Sequence, residues 1–264
     1  MLRAGMHDLQ SAILSWYARA RRDLPWRRTR DPYAILVSEV MLQQTQVPRV
    51  VPRYEAWLQR WPDAAGLAAA SPGDVLREWI GLGYNGRALR LREACAVVAR
   101  DGWPRSAREL ETLPGVGPYT SAAVASFAFG EQVAAVDTNV ARVVARIGRG
   151  APRDLLPAGA AGDWNQAMME LGATICRARS VACDSCPAAT WCASAGRAVA
   201  PPRREAARQP FEETNRFVRG RILAALAAGE PLPAGIEAAR LERALEGLLR
   251  DGLVRRTAAG LALG

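Results

Sequence analysis

Two segments with helical periodicity, at about 106–112 and 118–129, are joined by the run Leu113-Pro114-Gly115-Val116-Gly117-Pro118-Tyr119-Thr120. Glycine permits a tight backbone turn, and such a turn presents backbone amides at the start of the second helix, where a phosphate group can bind. The same run would also serve as an ordinary corner between two helices. Taken alone, it predicts a helical hairpin and leaves phosphate binding open.

Helical periodicity continues on both sides of this hairpin, whereas alternating strand patterns are nearly absent. Asp31-Pro32 has the form of an N-cap followed by proline at the first helical position, and predicts a helix that runs to about Gln44. The main body is therefore predicted to be all-α. Its other helical segments lie at about 7–21, 48–60, 72–80, 86–101, 138–149 and 161–175.

The C-terminal part has a different organisation. Residues 197–213 are rich in Arg, Pro and Ala without a steady apolar period, which is typical of a linker. Two amphipathic helices follow, at about 214–228 and 237–250, and then a turn and two short apolar segments that end the chain. Two helices and a β-ribbon predict a small winged-helix-like module.

Charge limits the function classes. The 264 residues carry 35 Lys plus Arg against 26 acids, a net charge of +9, and all 35 cations are Arg. A protein this basic favours phosphate-rich partners, and a chain without lysine cannot form a lysine Schiff base. We expect no membrane span, because no window of eighteen residues is uninterruptedly apolar, and a cytoplasmic location, because no secretory signal is recognisable.

Four of the five cysteines lie within seventeen residues, at Cys176, Cys183, Cys186 and Cys192. Disulfides suit secreted chains, and four-thiolate zinc sites usually contain two pairs of closely spaced cysteines. Here one such pair is flanked by single cysteines on longer arms, which suits the four corners of an iron–sulfur cluster. The spacing predicts a metal site and leaves zinc and iron open. Cys95 lies in an apolar helical pattern and is predicted to be a core thiol.

Two carboxyl groups are candidates for acid–base chemistry. Glu39 lies within a predicted helix, and three of its four neighbours at helical spacing are apolar. Desolvation on such a face raises the pKa of a carboxyl group and holds its proton, as a general acid requires, although an exposed Glu at a helix edge is commoner. Asp137 precedes a helix and has the position of an N-cap, where its charge could also stabilise a developing cation.

Together these segments resemble the helix-hairpin-helix DNA glycosylases, specifically the MutY-type adenine-DNA glycosylases. The hairpin and the cysteine loop also occur in endonuclease III, whereas Ser38–Thr45 and Asn165–Met169 point to the adenine branch. The resemblance covers residues 8–195. The matching runs are Leu24–Arg27, Ser38–Val47, Gly81–Tyr84, Leu113–Gly117, Val136–Val140, Asn165–Ala173 and the cysteine loop.

The resemblance implies a six-helix barrel domain with the hairpin at 28–132, and a helical domain at 1–27 plus 133–196 whose four clustered cysteines bind a [4Fe-4S] cluster. A linker at 197–213 and the module at 214–264 would follow. The implied partner is double-stranded DNA with a mispaired or damaged base, bound by a monomer that is nucleoid-associated in a bacterial-type cytoplasm.

The resemblance also implies roles for individual residues. Glu39 would protonate N7 of an extruded adenine, and Asp137 would stabilise the oxocarbenium-like sugar, because a base inside a duplex is reached only after it is flipped out. Tyr119 and Asn139 would position this pair. The base pocket is assigned to Trp26, Arg27, Leu42 and Gln166, and DNA binding to Gln43, Gln44, Thr45, Tyr84, Gly115, Val116 and Gly117.

Tyr119 stands where endonuclease III-type enzymes have the lysine that nicks the strand, which predicts a monofunctional enzyme. The chain departs from the family's usual pattern in two places. The family's Tyr-Tyr pair is Tyr84-Asn85 here, and the long C-terminal domain that reads 8-oxoguanine in many relatives is not recognisable. Two alternatives to an adenine glycosylase stay open. One is a glycosylase for thymine or uracil opposite guanine, and the other is a non-catalytic iron–sulfur DNA-binding protein. The module is a further candidate DNA contact, through Arg216, Arg219, Arg221 or Arg255-Arg256.

Overall fold

The computed structural model of the protein describes residues 2–197 and 209–264, with side chains from residue 5 onward. Residues 198–208 of the predicted linker lie outside the described residues. Twelve α-helices and one two-stranded sheet lie within the described ranges, which confirms the all-α prediction for the main body. The helices are α1 Leu2–Ala20, α2 Pro32–Leu42, α3 Val47–Arg60, α4 Ala64–Ala69, α5 Pro72–Trp79, α6 Gly86–Asp101, α7 Ala107–Leu110, α8 Pro118–Ala128, α9 Thr138–Ile147, α10 Ala161–Thr174, α11 Asn215–Ala228 and α12 Ala238–Arg250.

Local chemistry explains where α2 begins and ends. The Asp31 carboxylate accepts hydrogen bonds from the backbone N–H groups of Tyr33 and Ala34, each at 3.1 Å, as an N-cap does. The helix ends at Leu42, two residues before the predicted end, because Gln44 has a left-handed backbone with φ of 56°. The short helix α4 is missing from the prediction. Asp63 caps it by accepting a hydrogen bond from the Gly66 N–H at 2.7 Å.

The chain divides into two compact units. The first consists of the described parts of Met1–Glu39 and Pro104–Arg204, and the second of Val40–Trp103 and the described part of Glu205–Gly264. The division falls within α2, between Glu39 and Val40. The domain boundaries predicted from the sequence, at residues 27, 132 and 196, stay predictions.

In the first unit, α10 packs against α1, α8 and α9. Its core contains the fully buried Leu9 and Ile13 of α1, Val143 of α9, and Trp164 and Met168 of α10. Complete burial of a side chain of this size contributes about 1.5–3 kcal/mol. This core fixes the start of α9 against α10, where most of the candidate site residues of this unit lie.

In the second unit, α6 packs against α4 and α5, and the indole rings of Trp57 and Trp79 meet edge to face with centroids 5.4 Å apart. Cys95 of α6 is fully buried, and burial raises the pKa of its thiol to about 12, as expected for a core thiol. No helix within the described ranges is long and apolar enough to cross a membrane.

The C-terminal module belongs to the second unit and has the predicted elements. Its helices α11 and α12 pack together, and the strands β1 (Val254–Thr257) and β2 (Gly260–Leu263) form an antiparallel hairpin. The module packs on α5 through α11 and β2. A Cβ atom at Gly73, near the start of α5, would lie 3.6 Å from the Leu263 Cβ, so the hairpin lies directly against this helix.

Candidate active site

Glu39 is a buried carboxyl group on α2, with 6% of its surface exposed. Ile35 and Leu36, one turn before it, are also buried, as the sequence indicated. Burial raises the pKa of Glu39 to about 7; the nearby charge of Asp137 acts in the same direction, whereas the hydrogen bond from Tyr119 and the charge of Arg27 oppose it. The side chain therefore keeps its proton in mild acid and is about half protonated at neutral pH.

Tyr119, in the first turn of α8, connects the hairpin to this carboxyl group. Its hydroxyl donates a hydrogen bond of 2.8 Å to Glu39 Oε2 and lies 3.6 Å from the Met169 sulfur. Burial and then the charge of Glu39 raise the pKa of Tyr119 well above its ordinary value, so the phenol remains a donor. The hydrogen bond holds one oxygen of Glu39 in place and leaves the carboxyl group free to carry a proton.

Asp137 is the N-cap of α9, and both of its carboxylate oxygens have partners. Oδ1 accepts from the Val140 N–H at 2.7 Å, and Oδ2 accepts from the Asn139 side-chain amide at 3.0 Å. The charge of Asp137 raises the pKa values of both Glu39 and Tyr119, which places the carboxylate within electrostatic reach of both. The four residues predicted to be catalytic thus lie together in the first unit.

A buried ion pair beside this group is missing from the predicted site. Glu170 of α10 is 1% exposed and accepts hydrogen bonds from Arg27 at 2.7 Å and from Arg22 at 2.8 Å. Burial alone would raise the pKa of Glu170, but the two guanidinium groups hold it at about 2. Its position four residues after Gln166, on the same helical face, is the sequence signal that could have indicated it.

Replacing Glu170 by Gln is expected to lower the free energy of unfolding by about 3 kcal/mol, because Arg27 then keeps a buried charge without its partner. The matched control is Glu78→Gln, which removes an ion pair with the partly exposed Arg60 and is expected to cost less than about 1 kcal/mol. Urea unfolding at neutral pH measures both. Equal losses in the two variants would contradict the importance of the buried pair.

The same ion pair has a defined pH dependence. Because folding lowers the pKa of Glu170 from 4.5 to about 2, its stabilisation is fully present above pH 4.5 and is lost as the pH falls towards 2. The difference in stability between the wild type and Glu170→Gln should therefore shrink across this acidic window.

The residues assigned to a base pocket are brought together only in part. Arg27 and Gln166 line a cavity of about 250 Å³ in the first unit, and the Tyr17 hydroxyl donates a 2.6 Å hydrogen bond to the Gln166 side chain. Neither Glu39 nor Asp137 lines this cavity. Trp26 is buried at 8% exposure, and Leu42 is the last residue of α2, in the second unit.

The helical hairpin has the predicted form. Gly115 adopts a left-handed backbone with φ of 76°, which a residue with a side chain rarely does, and the Val116 N–H donates to the Leu113 carbonyl at 3.1 Å. Gly117 is the N-cap of α8, with extended backbone, and Pro118 occupies the first helical position. The first backbone N–H groups of α8 have no helical carbonyl partner, and this is the geometry in which they can bind a phosphate.

The remaining predicted DNA-binding residues lie in the second unit, where α2 ends and where the loop at 81–85 precedes α6. The Thr45 hydroxyl donates to the Leu82 carbonyl at 3.3 Å and ties the two segments together. Among the described residues, Gln44 and Tyr84 are the two positions other than glycine with positive φ, at 56° and 49°. Such a backbone costs about 1–2 kcal/mol per residue and persists where neighbouring contacts hold it.

Arg87 supplies those contacts and is another residue that the sequence analysis missed. Its guanidinium donates to the carbonyls of Val40 at 2.5 Å and Gln43 at 2.7 Å, and to the carbonyl of Gly83 at 3.0 Å. It therefore joins the end of α2 to the loop that carries Tyr84. No motif of the sequence marks it, because its partners are backbone carbonyls more than forty residues away or within its own loop.

The four clustered cysteines line one small cavity and are free thiols. Burial raises the pKa of Cys186, and the charges of Cys176, Cys192 and Cys183 act in the same direction, so the four sulfur atoms are electrostatic neighbours. Within the described ranges, no three His, Cys, Asp or Glu side chains are close enough to hold a single metal ion.

Two arginines of α9 connect the cysteine loop to the candidate site. Arg142 donates to the Asn139 side-chain oxygen at 2.8 Å and to the Cys176 carbonyl at 3.1 Å, while Arg146 donates to the Cys176 sulfur at 3.2 Å. Because Asn139 also donates to Asp137, a continuous chain of hydrogen bonds runs from the carboxylate to the loop. The position of the loop is therefore coupled to the position of Asp137.

Comparisons with known proteins give matches over nearly the whole chain. Residues 37–155 match the family described as "HhH-GPD superfamily base excision DNA repair protein". The adenine DNA glycosylase of Mycobacterium tuberculosis is 45% identical over 96% of this chain and 92% of its own. The adenine DNA glycosylase of Mycolicibacterium smegmatis is 46% identical over 94% of this chain and 93% of its own. Among solved structures, a thermostable thymine-DNA glycosylase is 31% identical, with a TM-score of 0.69 over 74% of this chain and 99% of that chain.

Proposed function

The chain belongs to the adenine DNA glycosylase family of the HhH-GPD superfamily, and we propose that it hydrolyses the N-glycosidic bond of an adenine flipped out of duplex DNA. The observation that carries the chemistry is the buried carboxyl group of Glu39, whose pKa burial raises to about 7, within electrostatic reach of Asp137. Splitting an N-glycosidic bond needs a proton for the departing base and negative charge at the sugar. A buried Glu39 with a raised pKa can supply the proton, and Asp137 lies near enough to act on the sugar.

In this mechanism Glu39 donates its proton to N7 of adenine, so that the base departs as a neutral leaving group. Asp137 stabilises the oxocarbenium-like sugar through its charge, and water completes the hydrolysis. Tyr119 and Asn139 act as positioning residues, because each hydrogen-bonds one of the two carboxyl groups. Arg27 and Gln166 are proposed to contact the base, as the resemblance implies, and Arg27 lies within electrostatic reach of Glu39.

Glu170 would set the position of Arg27 within this pocket. The carboxylate binds both Arg27 and Arg22 and is almost completely buried, so the guanidinium of Arg27 is fixed by an ion pair rather than by solvent. A fixed donor orients a base more accurately than a mobile one.

We propose that the enzyme is monofunctional and leaves an intact abasic site. Tyr119 occupies the position where the lyase branch has its lysine, and the chain contains no lysine at all. A phenol that donates to Glu39 is not an amine nucleophile, so no Schiff base with the sugar is expected from this side chain.

The substrate is proposed to be a duplex with adenine opposite 8-oxoguanine or guanine, bound by a monomer in the bacterial cytoplasm at the nucleoid. The net charge of +9 supports a polyanionic partner. The alternative, excision of thymine opposite guanine, is supported by the similarity to the thymine-DNA glycosylase. That protein is 31% identical over 74% of this chain, whereas the two mycobacterial adenine DNA glycosylases are 45–46% identical over 94–96% of it.

A panel of duplexes tests this proposal, each with one adenine, thymine or uracil opposite guanine or 8-oxoguanine. Base release and strand nicking are measured separately, the latter before and after alkali. We expect release of adenine alone, nicks only after alkali, and no adduct after borohydride. Release of pyrimidine without adenine would overturn the substrate assignment, and a borohydride-trapped adduct would overturn the monofunctional assignment.

The cysteine loop is proposed to bind a [4Fe-4S] cluster through Cys176, Cys183, Cys186 and Cys192. The four thiols line one cavity, and the charges of the other three act on Cys186, which supports one shared four-thiolate site. When bound, the cluster would supply structural stability to the loop that Arg142 and Arg146 hold against α9.

A further inference from the structure

The C-terminal module contributes one wall of a large groove in the second unit. The groove has a volume of about 1060 Å³ and is lined by the end of α2, the loop at 81–85, part of α6 and helix α11 of the module. Gln44 and Tyr84, which among the described residues other than glycine are the two with left-handed backbone, both line it. Gln44, Tyr84 and helix α11 of the module therefore line the same groove.

Arg216 of α11 lies directly on Tyr84. Its guanidinium carbon is 4.3 Å from the centroid of the phenol ring, and its Nη1 donates to the Tyr84 hydroxyl at 3.2 Å. A Cβ atom added to Gly83 would lie 3.1 Å from Arg216 Nη2, so the helix also approaches the loop backbone closely. The stack and the hydrogen bond together fix the ring of a tyrosine that is otherwise 45% exposed.

The groove carries an excess of positive charge. Five arginines line it against two acids, Glu93 and Asp251; the five are Arg49, Arg87, Arg90, Arg216 and Arg219. Asp251 is already paired with Arg219 at 2.5 Å. Arg87 and Arg216 both lie within 6 Å of the Tyr84 ring centroid, so two like charges are held close together, which is unfavourable unless an anion neutralises them.

Two buried polar atoms of the groove also lack partners. Among the described residues, neither Asn85 Oδ1 nor Arg87 Nε has a hydrogen-bond partner, and both residues line the groove. Two exposed aromatic side chains, Tyr84 and Phe211, lie in the same lining. Arginines together with exposed aromatic rings are the surface that binds a nucleic acid strand, through phosphate contacts and base stacking.

We propose that Arg216 of the module is a positioning residue, which holds Tyr84 in its DNA-binding conformation at the wall of this groove. The module thereby takes part in DNA binding through α11 rather than as a separate appendage. This inference rests on the proposed function for the identity of the duplex, and on the contacts within the second unit for the role of Arg216.

Binding of a labelled duplex tests the inference. The duplex carries a single adenine opposite 8-oxoguanine, with a 2′-fluorine on the target sugar to prevent release of the base, and affinity is measured by fluorescence anisotropy. Arg216→Ala and Tyr84→Ala are each expected to weaken binding about tenfold. The matched control is Arg243→Ala, which removes the same charge from an exposed position of α12, in the same module, that does not line the groove.

The double variant separates positioning from a direct phosphate contact. If Arg216 acts through Tyr84, the double variant binds within about twofold of Tyr84→Ala, because the two residues form one unit. Independent, multiplicative losses would overturn the positioning role, and equal affinities of Arg216→Ala and Arg243→Ala would overturn any role of Arg216 in DNA binding. Thermal unfolding of Arg216→Ala and Arg243→Ala should be alike, since both arginines are exposed.

The experiment distinguishes failure of this inference from failure of the proposed function. Normal adenine release by the wild type together with unchanged binding by Arg216→Ala would reject this inference alone. Weakened binding by Arg216→Ala together with no adenine release by the wild type would reject the proposed activity and keep the groove.

Discussion

Replacing Glu39 by Gln is expected to slow adenine release by about 10³-fold while duplex affinity stays within about twofold of the wild type. The amide keeps the shape of the carboxyl group and can still accept the hydrogen bond from Tyr119, but it has no acidic proton for the departing base. Single-turnover release of adenine and binding of the same duplex measure the two quantities separately.

Glu55→Gln is the matched control for this variant, because it makes the same chemical change at an exposed position of α3. Its rate should equal that of the wild type. Adenine release by Glu39→Gln at the wild-type rate would remove Glu39 from the mechanism. A parallel loss of duplex binding would instead indicate a structural role for this carboxyl group.

Replacing Asp137 by Asn is expected to slow adenine release by about 10²–10³-fold, because the developing positive charge at the sugar loses its counter-charge. Asn is as good an N-cap as Asp, so α9 should retain its start and the fold its stability. The variant also removes one cause of the raised pKa of Glu39. The remaining rate of adenine release should therefore begin to fall at a lower pH than the wild-type rate does.

Asp63→Asn provides the control for capping, since Asp63 caps α4 in the same way and lies in the other unit. It should retain full activity. If Asp137→Asn unfolded at a much lower denaturant concentration than Asp63→Asn does, its loss of rate would be attributable to α9 and the electrostatic role of Asp137 would be contradicted.

Much of this site was predictable because its signals are local. The apolar neighbours of Glu39, the N-cap position of Asp137 and the glycines of the hairpin each lie within a few residues of the group that they explain. The structure places all three as the sequence indicated. The helix that contains Glu39 was predicted from the N-cap at Asp31-Pro32, and the helix that Asp137 caps was predicted from its helical periodicity.

Other parts of the site depend on contacts that no local pattern encodes. The ion pair between Glu170 and Arg27 joins residues 143 positions apart, and Arg216 meets Tyr84 across 132 positions. Arg87 acts on backbone carbonyls, which any residue type can supply. The left-handed conformation of Gln44, which shortens α2, depends on neighbouring segments of the second unit rather than on a glycine. These features could be identified only from the three-dimensional structure.

The pH dependence of single-turnover adenine release by the wild type tests the central claim most directly, with Glu39→Gln measured in parallel as the baseline. If a buried Glu39 with a pKa of about 7 is the proton donor, the rate is constant in mild acid and falls about tenfold per pH unit above about 7. The variant should lack this limb. A wild-type rate that stays unchanged through neutral pH, or the same limb in the variant, would contradict the account.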